Sequence, residues 1–243
     1  EVLALFLQSM GAMIYQDVNR TWIIKGVKKL HGANYKIMFD RNEFVSFACL
    51  AMANRGDILI KGVEQRYVMT FLNAARKIGA NFTIYNDAIR FYNNENIQFK
   101  PIAVETDVHP GFMTDWQQPF CVVLTQAKGT SIIHETVYEN RLGYVDALNR
   151  MGANIQLFSE CLGSKSCRFV NKDYLHSALI TGPTPLNGAR IEIPDLRAGF
   201  SYVIAALIAK GKSELIGVEK IQRGYENLKD RLKNLGATMD ETK

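Results

Sequence analysis

Asp115 is the residue whose setting most invites chemistry. It stands in Pro110-Gly111-Phe112-Met113-Thr114-Asp115-Trp116-Gln117, a turn ahead of an apolar stretch that predicts a helix over 118–128. A carboxylate there can accept a hydrogen bond from a substrate hydroxyl and take its proton as a new bond forms. The same position suits a helix cap through Thr114 or Asp115, and both readings stay open. Arg197, in Pro194-Asp195-Leu196-Arg197-Ala198, precedes a helix expected over 198–210. Arg223, in Gln222-Arg223-Gly224-Tyr225-Glu226, is expected to open the next helix. A guanidinium fork holds carboxylate or phosphate bidentately and stays charged at any relevant pH. A helix N-terminus adds positive field at the same place. Ordinary ion pairs with Asp195 or Glu226 explain these arginines at least as well. Arg141 follows Glu139-Asn140 at an expected helix start, where an ion pair with Glu135 or Glu139 is its alternative role.

Bulk properties narrow the field. A chain of 243 residues, 47% hydrophobic and 22% charged, can bury one large core or two small ones. A net charge of +5 is a mild excess, compatible with an anionic metabolite. No basic block is interleaved with aromatics, so no nucleic-acid partner is expected. No apolar run approaches the roughly 20 residues of a membrane span. The start lacks a signal-peptide pattern, and a reducing cytoplasm is expected. The first residues already belong to the apolar-periodic stretch 2–10, without a preceding cap, which suggests a truncated domain.

Of the four cysteines, Cys49 and Cys121 lie in apolar helical patterns and read as buried fillers. Cys161 and Cys167 flank a turn-like segment, and their spacing is not the short CxxC of a zinc site. They read as two free thiols on a surface loop, with a redox disulfide or a metal site as lesser alternatives. No cofactor and no metal site are expected.

The elements that must position these residues repeat. Gly-Ala preceded by Met, Ile or Leu recurs at Met10-Gly11-Ala12, Ile78-Gly79-Ala80, Met151-Gly152-Ala153 and Leu235-Gly236-Ala237. Each copy closes a helical stretch, where a glycine suits a left-handed cap. β-rich runs follow at 13–15, 82–85 and 155–158. A second marker, an apolar helix ending in glycine and followed by a strand, recurs at Gly56, Gly129 and Gly211. Further strands are expected at 33–39 and 189–193. The unit is too long for a solenoid, whose repeats run roughly 20–50 residues. The pattern predicts an α/β fold of repeated βαβαββ-type units, with mixed rather than all-parallel sheets.

This repetition, with four short segments, resembles the UDP-N-acetylglucosamine 1-carboxyvinyltransferases, a family of enolpyruvyl transferases. The segments are the Asp115 turn, Glu135-Thr136-Val137-Tyr138-Glu139-Asn140-Arg141, Pro194-Asp195-Leu196-Arg197-Ala198 and Gln222-Arg223-Gly224-Tyr225-Glu226. The resemblance spans the whole chain but only the later part of the family's length. It implies an inside-out α/β fold. Residues 1–38 would end a truncated first domain, and residues 39–243 would form a second domain of three repeats. It also implies a role in peptidoglycan precursor synthesis, with phosphoenolpyruvate and UDP-N-acetylglucosamine as substrates.

By the same resemblance, Asp115 faces the sugar hydroxyl, and Arg197 and Arg223 hold phosphoenolpyruvate or the released phosphate. Arg141 lines the cleft, the Val137 backbone and His109 contact the UDP-sugar, and Arg41 reaches the diphosphate. Hinge salt bridging is the alternative for Arg41, and a solvent-exposed bystander is the alternative for His109. The sequence departs from the family at Gln222, where Asp is common, and at Trp116, where a smaller apolar residue is common. Residues 161–167 look like an insertion. The family's proton-donating cysteine and further cationic clamps belong to the first domain, so the chain alone is expected to have negligible activity. The face left by the missing part would favour association. Two other readings remain: a shikimate-pathway enolpyruvyl transferase, and a non-catalytic module that binds an anionic metabolite or a partner.

Overall fold

The computed structural model describes residues 2–19, 21–93, 97–164 and 166–240, with Arg197 described by its backbone alone. The chain forms two compact units, Glu1–Asp40 and Arg41–Lys243. In the first, helix α1 (Val2–Ser9) leads into an antiparallel hairpin of β1 (Met13–Gln16) and β2 (Trp22–Lys25). No strand forms over 33–39, contrary to the expectation from its apolar content. Most of that stretch is exposed and has no partner strand to reward extension.

The second unit contains the repeats. The first comprises α2 (Arg41–Ala53), β3 (Asp57–Lys61), α3 (Met69–Lys77), β4 (Asn81–Ile84) and β5 (Ala88–Tyr92). The second comprises β6 (Ala103–Asp107), β7 (Phe112–Met113), α4 (Gln117–Leu124), β8 (Gly129–His134), α5 (Val145–Arg150), β9 (Asn154–Phe158) and β10 (Ser177–Gly182). The third comprises β11 (Arg190–Glu192), α6 (Leu196–Ile208), β12 (Glu214–Ile216), α7 (Glu219–Gln222) and α8 (Leu228–Asn234). The sheets run β3-β5-β4, β7-β6-β8-β10-β9 and β11-β12. The five-stranded sheet is mixed: β6 runs parallel to β7 and β8, while β10 is antiparallel to β8 and β9.

Helices α2, α4 and α6 pack on one another and carry sheets on their outer sides. Their sequences explain why. Every residue of α4 is buried, as is α2 from Phe44 to Ala53. A helix apolar on all sides can satisfy itself only by being enclosed. The short helix α3 behaves oppositely, burying Phe71, Leu72, Ala74 and Ala75 and exposing its polar side. Phe71 meets Phe44, Phe91, Phe112, Trp116 and Phe120 at ring centroid separations of 5.9–6.4 Å. This aromatic cluster ties the first repeat to the second.

The Gly-Ala signature forms the same cap four times. Gly11, Gly79, Gly152 and Gly236 have φ of +93°, +87°, +106° and +95°. The following alanine N–H reaches back five residues in each copy: Ala12 to Leu7, Ala80 to Ala75, Ala153 to Leu148 and Ala237 to Leu232, at 2.9–3.0 Å. This satisfies carbonyls that the helix end would otherwise orphan. At the second marker the left-handed residue of the first repeat is Arg55 (φ 52°), not Gly56. A Cβ on Gly79 would meet nothing within 4 Å. Gly79→Ala therefore isolates backbone strain from crowding. It is expected to cost about 1–2 kcal/mol, read as a lower urea midpoint with an unchanged slope.

Candidate active site

The expected chemistry gathers at one end of the helix trio. Asn42, in the first turn of α2, donates to Asp115 Oδ2 at 3.3 Å and accepts from Trp116 Nε1 at 3.1 Å. The N-termini of α2 and α4 are thus neighbours. Phe47 and Phe200, in the early turns of α2 and α6, meet edge to face with ring centroids 5.1 Å apart. Ser46 and Tyr225 share a hydrogen bond of 2.8 Å. A Cβ on Gly224 would strike Leu196 Cδ1 at 2.8 Å, so the turn after α7 lies against the first residue of α6. These contacts link Asp115, through α2, to the segments that carry Arg197 and Arg223. Arg41 opens α2 beside Asn42.

Asp115 is not the N-cap residue of α4, which is Trp116. Asp115 lies in a 3₁₀ turn, Thr114–Trp116, and neither this turn nor α4 has a side-chain cap. The carboxylate pairs with Arg141, whose Nη2 donates to Oδ1. The Asp115 and Arg141 side chains are 22% and 11% exposed, so the pair lies just beneath the surface, within reach of a ligand. With its amide oriented to satisfy both ends, Gln118 braces it, accepting from Arg141 Nε at 3.0 Å and donating to the Asp115 carbonyl at 3.1 Å. The alternative pairings considered for Arg141 are not formed. Glu139 pairs with Arg168, and Glu135 is committed elsewhere. Arg141 lies in a turn, and α5 begins only at Val145.

Glu135 organises the site, a role the sequence reading missed. It is fully buried. Its Oε2 accepts from Thr114 Oγ1 at 2.8 Å and Gln117 Nε2 at 3.1 Å. Its Oε1 accepts from the backbone N–H groups of Val137 and Tyr138 at 2.7 and 3.0 Å. One carboxylate thereby fixes both the Asp115 turn and the loop leading to Arg141. A buried anion is tolerable because it is saturated with donors. Since the Val137 N–H is already engaged, a ligand using that donor must displace an internal bond.

The remaining residues are placed as follows. His109 is partly buried, adjoins a cis bond to Pro110 and faces the Tyr67 ring at 6.4 Å, so it is not a solvent-exposed bystander. Arg223 is exposed, and it ends α7 rather than opening a helix; α8 starts at Leu228. The positive field expected there from a helix N-terminus is therefore not supplied by α8. The reason is local: Asn227 takes a left-handed conformation (φ 49°) and interrupts the helical stretch. Arg197 falls within the first turn of α6, which begins at Leu196, two residues before the expected start, and its side chain lies outside the described residues. Asp195, considered as its ion partner, accepts from the Ala198 N–H at 2.9 Å and caps α6. No helix among the described residues is long and apolar enough to cross a membrane.

Residues 1–232 match the family model described as EPSP synthase (3-phosphoshikimate 1-carboxyvinyltransferase). The chain is 49% identical over 237 residues to the UDP-N-acetylglucosamine 1-carboxyvinyltransferase of Protochlamydia amoebophila strain UWE25, covering 98% of this chain and 51% of that protein. Its identity to the protein of that name from Chlamydia abortus is 46%, over 97% of this chain and 53% of the relative. The chain thus spans about half the length of these curated relatives. Among solved structures it resembles the enolpyruvyl transferase NikO from Streptomyces tendae, with a TM-score of 0.81 at 22% identity, covering 95% of this chain and 51% of that one. It also resembles the EPSP synthase from Acinetobacter baumannii, with a TM-score of 0.72 at 17% identity, covering 98% and 54%. At such identities these two establish the fold, an α/β architecture with mixed sheets.

Proposed function

Because the chain belongs to the EPSP synthase family, we propose that it supplies part of the active site of an enolpyruvyl transferase acting on UDP-N-acetylglucosamine. The reaction joins a sugar hydroxyl to C2 of phosphoenolpyruvate and expels phosphate. It requires an acceptor for the hydroxyl proton, a proton donor to C3, and cations for the carboxylate and phosphate. The observation that carries the reading is the Asp115 carboxylate. It is held by Arg141 and Asn42 at the N-terminal end of the helix trio. There it accepts the sugar hydroxyl, while Arg197 and Arg223 draw the anionic co-substrate. His109, Arg41 and the Val137 backbone contact the UDP-sugar. The relatives named for this reaction, at 44–49% identity, favour the UDP-sugar over a shikimate-type acceptor. On this reading the protein works in the cytoplasm, on peptidoglycan precursors.

The test is phosphate release by the protein in which this sequence is joined to the remaining portion its relatives possess. Release that requires both phosphoenolpyruvate and UDP-N-acetylglucosamine is expected. Release with 3-phosphoshikimate instead would select the shikimate-type reading. Binding of either acceptor without release would select the non-catalytic one. In the same assay Arg223→Ala is expected to raise the KM for phosphoenolpyruvate about 10- to 100-fold, as for loss of a charged hydrogen bond. It should barely alter the KM for the UDP-sugar, because the exposed guanidinium is assigned to the anion alone.

A further inference from the structure

Away from Asp115, four side chains converge at the end of the five-stranded sheet: His134, Cys161, Cys167 and His176. The sequence scatters them, but the strand register gathers them. Antiparallel pairing of β8 with β10 sets His134 opposite Ser177, the neighbour of His176. The two imidazoles lie 5.4 Å apart between centroids, and both residues are fully buried. The connection from β9 to β10 then brings both thiols to them. Cys161 Sγ lies 3.5 Å from Cys167 Sγ and 3.4 Å from His176 Nε2.

We propose that these four residues form a structural zinc site, Cys161 and Cys167 as thiolates and His134 and His176 through Nε2. One ligand atom from each residue, a sulfur or an imidazole nitrogen, lies within 4.8 Å of those of the other three. Zinc–sulfur bonds of about 2.3 Å and zinc–nitrogen bonds of about 2.0 Å place tetrahedral donors roughly 3.3–3.8 Å apart. Only the widest separations must close, by about 1 Å. The observed sulfur–sulfur distance is far from that of a disulfide bond, about 2.0 Å. Two thiolates balance the charge of Zn²⁺, so a neutral centre forms as both thiols release their protons.

The surroundings are those of a ligand set. His134 Nε2 is buried and has no hydrogen-bond partner among the described residues. Leaving a buried nitrogen without a partner is costly, and a metal would satisfy it. The other nitrogen of each imidazole is already engaged. His134 Nδ1 faces Glu105 Oε2 at 3.3 Å, and His176 Nδ1 faces the Tyr174 carbonyl at 2.7 Å. Partners of this kind fix the tautomer that leaves Nε2 for a metal. Glu105 is held in turn by the N–H and hydroxyl of Ser164, at 2.7 and 2.6 Å to Oε1. The Phe169 N–H donates to Cys167 Sγ at 3.4 Å. Gly163 lets the loop pass directly over the pair, since a Cβ there would come within 2.7 Å of Glu105 Oε2 and strike His134 Nδ1.

The loop has a use for such a cross-link. Residues 159–176 form no strand or helix among the described residues, and only Phe169 and His176 of them are buried. A connection of that length with so little buried apolar surface needs another anchor. Four protein ligands leave no open position, so the centre is structural rather than hydrolytic. Its presence does not depend on the role of Asp115.

The chain, produced without a metal-affinity tag in zinc-supplemented medium, should retain about one zinc per molecule after dialysis. After chelation, cobalt(II) alone should restore an intense tetrahedral visible spectrum and a near-ultraviolet thiolate charge-transfer band. Zinc should slow alkylation of Cys161 and Cys167 at least tenfold, while magnesium leaves it unchanged. Cys167→Ser should lose the charge-transfer intensity of one thiolate, and His134→Gln should weaken zinc retention at least tenfold. Should a variant fail to fold, the unmutated chain still decides through cobalt and alkylation. Zinc well below one per chain, cobalt without thiolate bands, or a Cys161–Cys167 disulfide that forms equally with and without zinc would overturn the site.

Discussion

Asp115→Asn is expected to lower the turnover of the complete transferase about a hundredfold to ten-thousandfold. The substitution keeps the shape of the side chain and removes its charge. Asparagine presents one carbonyl oxygen and an amide that can only donate. If that oxygen stays on Arg141, the substrate hydroxyl meets a donor where it needs an acceptor. If it turns away, Arg141 loses its anionic partner. Arg141 remains braced by Gln118 and stands within 5.7 Å of the Tyr138 ring, so the surrounding turn should persist. The pair is partly screened by solvent, and its loss should cost only about 1 kcal/mol of stability. Steady-state phosphate release would therefore fall steeply, while calorimetry still finds UDP-N-acetylglucosamine bound within a few-fold of the original affinity. Turnover within about threefold of the unmutated enzyme would remove Asp115 from the chemistry.

Glu135→Ala should produce the largest loss of stability, about 3–5 kcal/mol in denaturant unfolding. Its carboxylate is fully buried and receives four hydrogen bonds, two from backbone N–H groups and two from the side chains of Thr114 and Gln117. Alanine strands all four donors away from water. Gln117 also accepts from Tyr144 OH at 2.8 Å, so the disturbance would spread along a buried network. Domain stabilities lie around 5–15 kcal/mol, so this single change consumes a large share. Glu135→Gln distinguishes lost volume from lost acceptors. It fills the same space but turns an NH₂ toward two of the donors, and should still cost about 1–3 kcal/mol. A loss below about 1 kcal/mol for alanine would show that water or neighbouring groups replace the carboxylate.

Much of the fold is written in local sequence. The four Gly-Ala caps and the fully apolar runs of α2 and α4 depend on neighbours only a few residues away. A left-handed cap needs glycine, and a helix without a polar side needs enclosure. Both signals survive without knowing what packs where. Asp115 was legible for the same reason, as an acid in a turn before an apolar helix. Local signals also misled. The stretch 33–39 has strand-like content but no partner, and Arg223 stands at a helix end because Asn227 breaks the run.

The residues around Asp115 were named from their own segments, but their partners were not. That the Asp115 carboxylate meets Arg141 and Asn42 depends on segments distant from it in the chain. Glu135 looked like one more acid in a charged segment until burial gave its two oxygens four donors. The cysteine pair lacked a metal-binding spacing because two of the proposed ligands are histidines from other strand ends. Helix ends and turns are determined by short stretches of chain. A carboxylate's donors and a metal's ligands are chosen by strand register and burial, which exist only once distant segments have met.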